Sequence, residues 1–222
     1  MGKNYISTHT INNILHLIEN GSLAVPAFQR GFVWERENIK QLFESINHGF
    51  PIGIILAIEH EPKHFEAAPS KLTLFPEIPP EDIVSTKRLW ILDGSQRLAS
   101  LYNVFLGKDN FFKLLYDLEI KKFLFPDEFE GGSTFLNMSS LFKSREYMQL
   151  QAEIAKLSNS EVLLEELYAL HNRFTSYQVP VQVIEDVNDE DIVTIFMRLN
   201  TRGMSLKKDE IEQALKYRKA EE

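Results

Sequence analysis

The sequence predicts a protein of mixed helices and strands folded around an ample core. Three observations point there. Short apolar runs at 52–58, 89–92 and 178–184 are rich in Ile, Val and Leu, the pattern of buried strands. Apolar residues recur at helical spacing in 8–20, 35–47, 96–106, 139–174 and 189–199. The chain of 222 residues is 44% hydrophobic and carries 16 Phe, enough side-chain volume to fill one large core or two small ones.

In order along the chain, Ile11, Ile14, Leu15 and Ile18 share one face of a first helix, with Thr8 or Thr10 as its cap and Gly21 as its stop. Residues 23–30 read as extended ahead of and around Pro26. Ile39, Leu42, Phe43 and Ile46 form the stripe of a second helix from 35 to 47. The run at 52–58 is expected to be a central strand. Residues 60–87 hold five of the nine prolines and no periodicity, so an irregular excursion is expected, packing lightly and mobile at its tip. A strand at 89–92 runs into a helix from 96. Residues 111–117 and 120–125 suggest a hairpin, and 126–133 a loop. Residues 139–174 read as two helices broken near 158–160, followed by a strand at 178–184. The helix at 189–199 has an acidic start suited to its dipole. Ser205 would cap a last helix from 207 to 219.

Composition narrows the functions. Net charge is −8, and residues 161–191 alone contribute eight acidic side chains against Arg173. A surface that coats nucleic acid is disfavoured, while a local basic pocket is allowed. No cysteine is present, so disulfides and thiolate zinc sites are excluded. No apolar run nears the roughly 20 residues of a membrane span, and Met1–Thr10 is polar. A cytoplasmic location without membrane contact is the expectation. The six histidines show no ligand spacing, with His60 and His64 in the proline-rich stretch rather than on a helix. P-loop, zincin and serine-elbow patterns are absent.

Chemistry gathers in three short clusters where loops meet helices: Phe28 to Trp34, Asp93 to Arg97, and Arg198 to Gly203. The turn Asp93-Gly94-Ser95-Gln96-Arg97 joins an apolar strand to a helix. Such a corner aims free backbone N–H groups and the positive end of the helix dipole at an anion. Arg97 would add a planar fork for phosphate oxygens, and Asp93 could hold a metal ion or orient a water. Read more simply, Asp93 caps the helix, Gly94 permits the turn and Arg97 pairs with a surface carboxylate. Arginine with Gln or Asn suits phosphates and base edges, and Trp34 or Phe32 could stack on a base. Trp34 reads more readily as a hydrophobic anchor packed on the following helix, and Arg202 equally as a solvated helix charge.

Together the clusters resemble one family. Val25-Pro26-Ala27-Phe28-Gln29-Arg30 with Val33-Trp34 is similar to its first motif. Asp93-Gly94-Ser95-Gln96-Arg97-Leu98 resembles its Asp-Gly-Gln-Gln-Arg-Leu motif, with Ser95 in place of the first Gln. Phe196-Met197-Arg198-Leu199-Asn200-Thr201-Arg202-Gly203 resembles its third. The family is the N-terminal domain of GmrSD-type restriction endonucleases, of ParB/sulfiredoxin-like fold. The resemblance implies an α+β domain with a small mixed β-sheet and flanking helices, spanning 1–222 as one unit cut from a longer chain. It implies a regulatory domain that binds a nucleoside triphosphate with Mg²⁺, and either hydrolyses it or only holds it, to control a C-terminal nuclease domain in restriction of modified phage DNA. Gln29, Arg30, Gly94, Ser95, Arg97, Asn200 and Arg202 are the expected nucleotide contacts. Asp93 and Gln96 are the expected catalytic pair, Asp93 the metal ligand and Trp34 the base-stacking residue. With Ser95 where the family has Gln, hydrolysis is expected to suffer before binding. DNA is expected to be touched weakly or indirectly. The rival is a ParB-like DNA-binding module without turnover, and a blander one is an adaptor whose polar corners are structural.

Overall fold

A computed structural model of the chain describes residues 3–199 apart from 63, 84, 130, 132 and 133. In chain order the elements are β1 (Lys3–Thr10), α1 (Ile11–Glu19), β2 (Leu23–Ala24), α2 (Arg36–Asn47), β3 (Ile55–His60), α3 (Ser70–Thr73), β4 (Arg88–Asp93) and α4 (Ser95–Phe105). There follow β5 (Leu115–Asp117), β6 (Lys122–Leu124), β7 (Phe135–Asn137), α5 (Ser144–Ile154), α6 (Ser160–Ser176), β8 (Gln178–Glu185) and α7 (Asp189–Leu199). The class is α+β: a five-stranded mixed sheet in the order β1-β8-β3-β4-β2, and a three-stranded antiparallel sheet in the order β6-β5-β7.

The middle strand is β3, antiparallel to β4 and parallel to β8. Its run of Ile and Ala is buried, as a strand paired on both sides requires. The short β2 lies parallel to β4, with Leu23 opposite Leu89 and Ala24 opposite Trp90. The helices form where the periodicity placed them. Thr10 caps α1 by accepting from the Asn13 N–H at 3.2 Å. Glu35 and Asn38 cap the start of α2 reciprocally. The predicted stripes of both helices are buried.

The main core joins the two sheets. Phe43 of α2 meets Phe105 of α4, Phe123 of β6 and Phe174 of α6, with ring centroids 5.5 to 6.0 Å apart. A smaller apolar cluster lies on the other face of β4, where Trp90 and Leu92 meet Phe28, Phe65, Ile192 and Phe196.

Three features depart from expectation. β1 was not anticipated: it is an edge strand with mostly exposed side chains, so it lacks an apolar signature. It pairs antiparallel with β8 over its whole length. β7 completes the second sheet from 135–137, a stretch between the expected loop and the expected helices to which no element was assigned. The segment 60–87 is irregular, but it does not pack lightly. Phe65, Ala68, Phe75 and Ile83 are buried, and Pro26 and Ala67 form an antiparallel bridge. Its prolines prevent regular structure without preventing burial. The proposed last helix at 207–219 lies outside the described residues.

Candidate functional site

The site is a corner at the C-terminal end of β4. Asp93 ends the strand, Gly94 turns it with φ of +95°, and Ser95 opens α4. A side chain at position 94 would be strained twice, since a Cβ there would stand 2.4 Å from Ile55 Cδ1. Among the described residues no side chain caps α4, and the first amide to pair inside the helix is Leu98 N–H with the Gly94 carbonyl. The corner therefore keeps the unsatisfied N–H groups and positive helix end of an anion site. Asp93 does not cap, as the simpler reading had it. Its carboxylate is 60% exposed and lies 3.2 Å from Arg97 Nη2.

The first cluster is stitched onto this corner through side-chain amides. Gln29, almost wholly buried, donates from Nε2 to the carbonyls of Ile91 and Leu92, both at 2.8 Å. The Ser95 hydroxyl donates to Gln29 Oε1 at 3.4 Å. Gln96 reaches back the other way: its Oε1 accepts from Val33 N–H at 2.8 Å, and its Nε2 donates to the Gly31 carbonyl at 3.2 Å. Residues 29 and 31 are both fastened to the corner, which fixes the backbone of Arg30 between them. Arg30 is exposed, and among the described residues it has no hydrogen-bond or ion-pair partner.

Arg97 corrects one expectation. A fork held out for phosphate oxygens would stand open to solvent, whereas the Arg97 side chain is only 15% exposed. Nη1 donates to the Ile52 carbonyl at 2.8 Å, and Nη2 donates to the Ile54 carbonyl and to Asp93, each at 3.2 Å. The guanidinium clasps the chain on both sides of Gly53, whose φ is +85° and whose Cβ position would lie 2.8 Å from Nη1. Burial lowers the Arg97 pKa, and the Asp93 charge opposes that shift. The glycine interrupting 52–58 is the sequence signal that could have exposed this seat.

Trp34 is half-buried against the main core, which favours its anchoring role. Of the third motif, Phe196 on α7 packs edge-on against Phe28 with centroids 5.0 Å apart. The first two clusters thus meet at the C-terminal end of β4, and Phe196, from the start of the third motif, packs beside the first. Arg198 is exposed on α7, whereas Asn200, Arg202 and Gly203 lie outside the described residues.

Among the described residues, no group of three or more His, Asp and Glu side chains gathers as a metal site. The donors still suit Mg²⁺, which binds proteins through one or two carboxylates and takes its other oxygens from phosphates and water. Asp93 offers such a carboxylate beside an anion-attracting helix end. The sequence reading did not find Glu166, which is buried on α6 and paired to Lys121 at 2.6 Å and Arg173 at 3.0 Å. Burial alone would raise its pKa, but hydrogen bonds from Lys121, Arg173 and Tyr116 outweigh that and lower it. This network belongs to the scaffold.

An uncharacterized protein of Methanocaldococcus jannaschii is 26% identical over 234 residues, covering 90% of this chain and 40% of that protein. The chain thus spans about two fifths of the length of the curated relative it matches. No helix among the described residues is long and apolar enough to cross a membrane. The profile of the GmrSD restriction endonuclease N-terminal domain matches residues 11–215, a span holding all three clusters and nearly every element of the fold, and the chain belongs to that family.

Proposed function

We propose that the corner between β4 and α4 binds the phosphates of a nucleoside triphosphate, and that the domain uses this ligand to control a nuclease elsewhere in a longer restriction protein directed at modified phage DNA. The observation that carries the reading is the uncapped start of α4 beside Arg30, an exposed guanidinium whose backbone is pinned by Gln29 and Gly31. Amide N–H groups and a free arginine together give the charge-assisted contacts a phosphate needs. Asp93 would hold Mg²⁺ or orient a water. Gln29, Gln96 and Arg97 would position the corner, since their polar atoms engage main chain or neighbours in the structure. Ser95 would support binding better than turnover, its hydroxyl being shorter than the amide of the family motif. Trp34 would anchor the first cluster to the core rather than stack on the base, and Asn200 and Arg202 would add nucleotide contacts from outside the described residues.

The test is a thermal-shift and calorimetry panel of ATP, GTP, CTP and UTP, each with and without Mg²⁺, on the wild type and Arg30→Ala. One nucleotide should raise the melting point, by about 2.7 kcal/mol of linkage at a hundredfold excess over Kd. Arg30→Ala should keep the unliganded melting point and lose roughly ten- to a hundredfold in affinity. Phosphate release is read on the same samples. A panel with no nucleotide response would overturn the proposal, and a duplex DNA titrated alongside that bound where no nucleotide did would favour the ParB-like DNA-binding alternative. The net charge of −8 argues against that alternative, because duplex binding needs several clustered cations.

A further inference from the structure

A cavity of about 510 Å³ opens between β2 and the proline-rich segment that follows β3. Leu23, Val25, Phe75 and Ile78 supply apolar walls, and Arg88 also lines it. The volume falls within the range of roughly 300–1,000 Å³ that suits small ligands. The state of Arg88 is what sets this cavity apart. The residue is 3% exposed at the start of β4, yet among the described residues its guanidinium has no hydrogen bond and no ion pair. Its Nε is wholly buried and unsatisfied. Its one described attraction is to the Trp90 ring, whose centroid lies 4.7 Å from the guanidinium carbon. Burial lowers its pKa to about 10. A buried charge left this way calls for an anion, and contact with an aromatic face compensates desolvation only in part.

We propose that this cavity is a second ligand site, separate from the β4–α4 corner, that takes a small monocarboxylate with an apolar body. The planar fork of arginine matches the two oxygens of a carboxylate. The apolar walls match a short aliphatic or aromatic tail. Glu66 and Glu77 stand on the same lining without pairing to Arg88, so a doubly charged phosphate is disfavoured. Trp90 lies under the guanidinium and also belongs, with Leu92, to the apolar cluster that receives Phe28 and Phe196. Occupancy would therefore be felt on the β4 face against which the first and third motifs pack.

The experiment is calorimetric and thermal-shift titration of the protein with hexanoate and phenylacetate. Hexanol and phenylethanol serve as uncharged counterparts, and inorganic phosphate as the alternative anion. At least one carboxylate should bind saturably, with its alcohol at least tenfold weaker and phosphate without effect. Arg88→Met should melt at or above the unliganded wild type, because an uncompensated charge is removed, and should lose the carboxylate response. Arg88→Lys should bind about tenfold more weakly, having charge but no fork. The nucleotide of the corner, added at saturation, should not displace the carboxylate. The proposal is overturned by absence of saturable carboxylate binding, by equal binding of the alcohols or phosphate, by undiminished binding to Arg88→Met, or by displacement with nucleotide. A clear fall in the melting point of Arg88→Met would overturn it too, by showing the guanidinium already satisfied.

Discussion

Replacing Arg97 by alanine should cost the fold a measurable part of its stability. The guanidinium holds the Ile52 carbonyl at 2.8 Å and the Ile54 carbonyl at 3.2 Å, clasping the chain that leads into the central strand. Hydrogen bonds to a charged group contribute about 1.5–3 kcal/mol each when buried. The second of these lies toward solvent, and the ion pair to Asp93 involves a carboxylate that is 60% exposed, so that pair adds at most about 1 kcal/mol. Discounted in this way, the loss is about 2–4 kcal/mol. For a chain of this size that corresponds to about 4–16 °C in melting temperature. Arg97→Lys should recover less than half, because one ammonium cannot span both carbonyls. Urea denaturation with a shared m-value measures both variants, and nucleotide titration below the transition separates affinity from stability. If Arg97→Ala lay within 0.5 kcal/mol of the wild type, as an ordinary surface substitution does, the clasp would contribute nothing and the residue would belong to the ligand instead.

Gly94→Ala should destabilise by about 2–4 kcal/mol, combining the left-handed backbone penalty with displacement of the buried Ile55, read from the denaturation midpoint. Gln29→Met strands the Ile91 and Leu92 carbonyls, which should cost about 2 kcal/mol and weaken nucleotide binding by loosening the backbone of Arg30; unchanged affinity would separate the two residues. Glu166→Gln should lose about 1–3 kcal/mol at neutral pH. The folded pKa of Glu166 lies below its ordinary 4.5, so the carboxylate's contribution is complete above that pH. It fades as the pH falls through the depressed value, and the gap between variant and wild type should close on acidification. A gap that widened toward low pH would contradict the described network.

The helices and interior strands were legible because burial imposes period on sequence. Ile39, Leu42, Phe43 and Ile46 can only be one face of a helix, and that face is buried. β1 was illegible for the converse reason: an exposed edge strand is held by main-chain pairing, which leaves no mark on side-chain polarity. The buried packing of 65–83 was hidden by prolines that spoil periodicity while Phe65 and Phe75 still reach the core. At the candidate site, residue types marked the first two clusters, which the structure joins, but not what each side chain does. Gln29 and Arg97 carry the same groups whether they hold phosphate or main chain. Only the distances to Ile91, Leu92, Ile52 and Ile54 show that the main chain holds them here. Arg88 was not singled out, because nothing in the sequence beside a strand marks a guanidinium as buried; its isolation is a property of the tertiary structure alone.

The amide stitches at the corner have a kinetic corollary. Each joins residues 62 to 66 positions apart, and the Arg97 clasp spans 43 to 45. None can form while the intervening chain is unfolded, because closing such loops precedes any gain from the contact. The Val33 amide makes this visible. Its side chain is 54% exposed, yet its N–H is held by Gln96 from the far side of the sheet's first crossover. Surface position alone would let that proton exchange with solvent quickly. Tied as it is, it should exchange on the timescale of the β3–β4 unit opening, so that a single loop amide reports whether the corner is assembled.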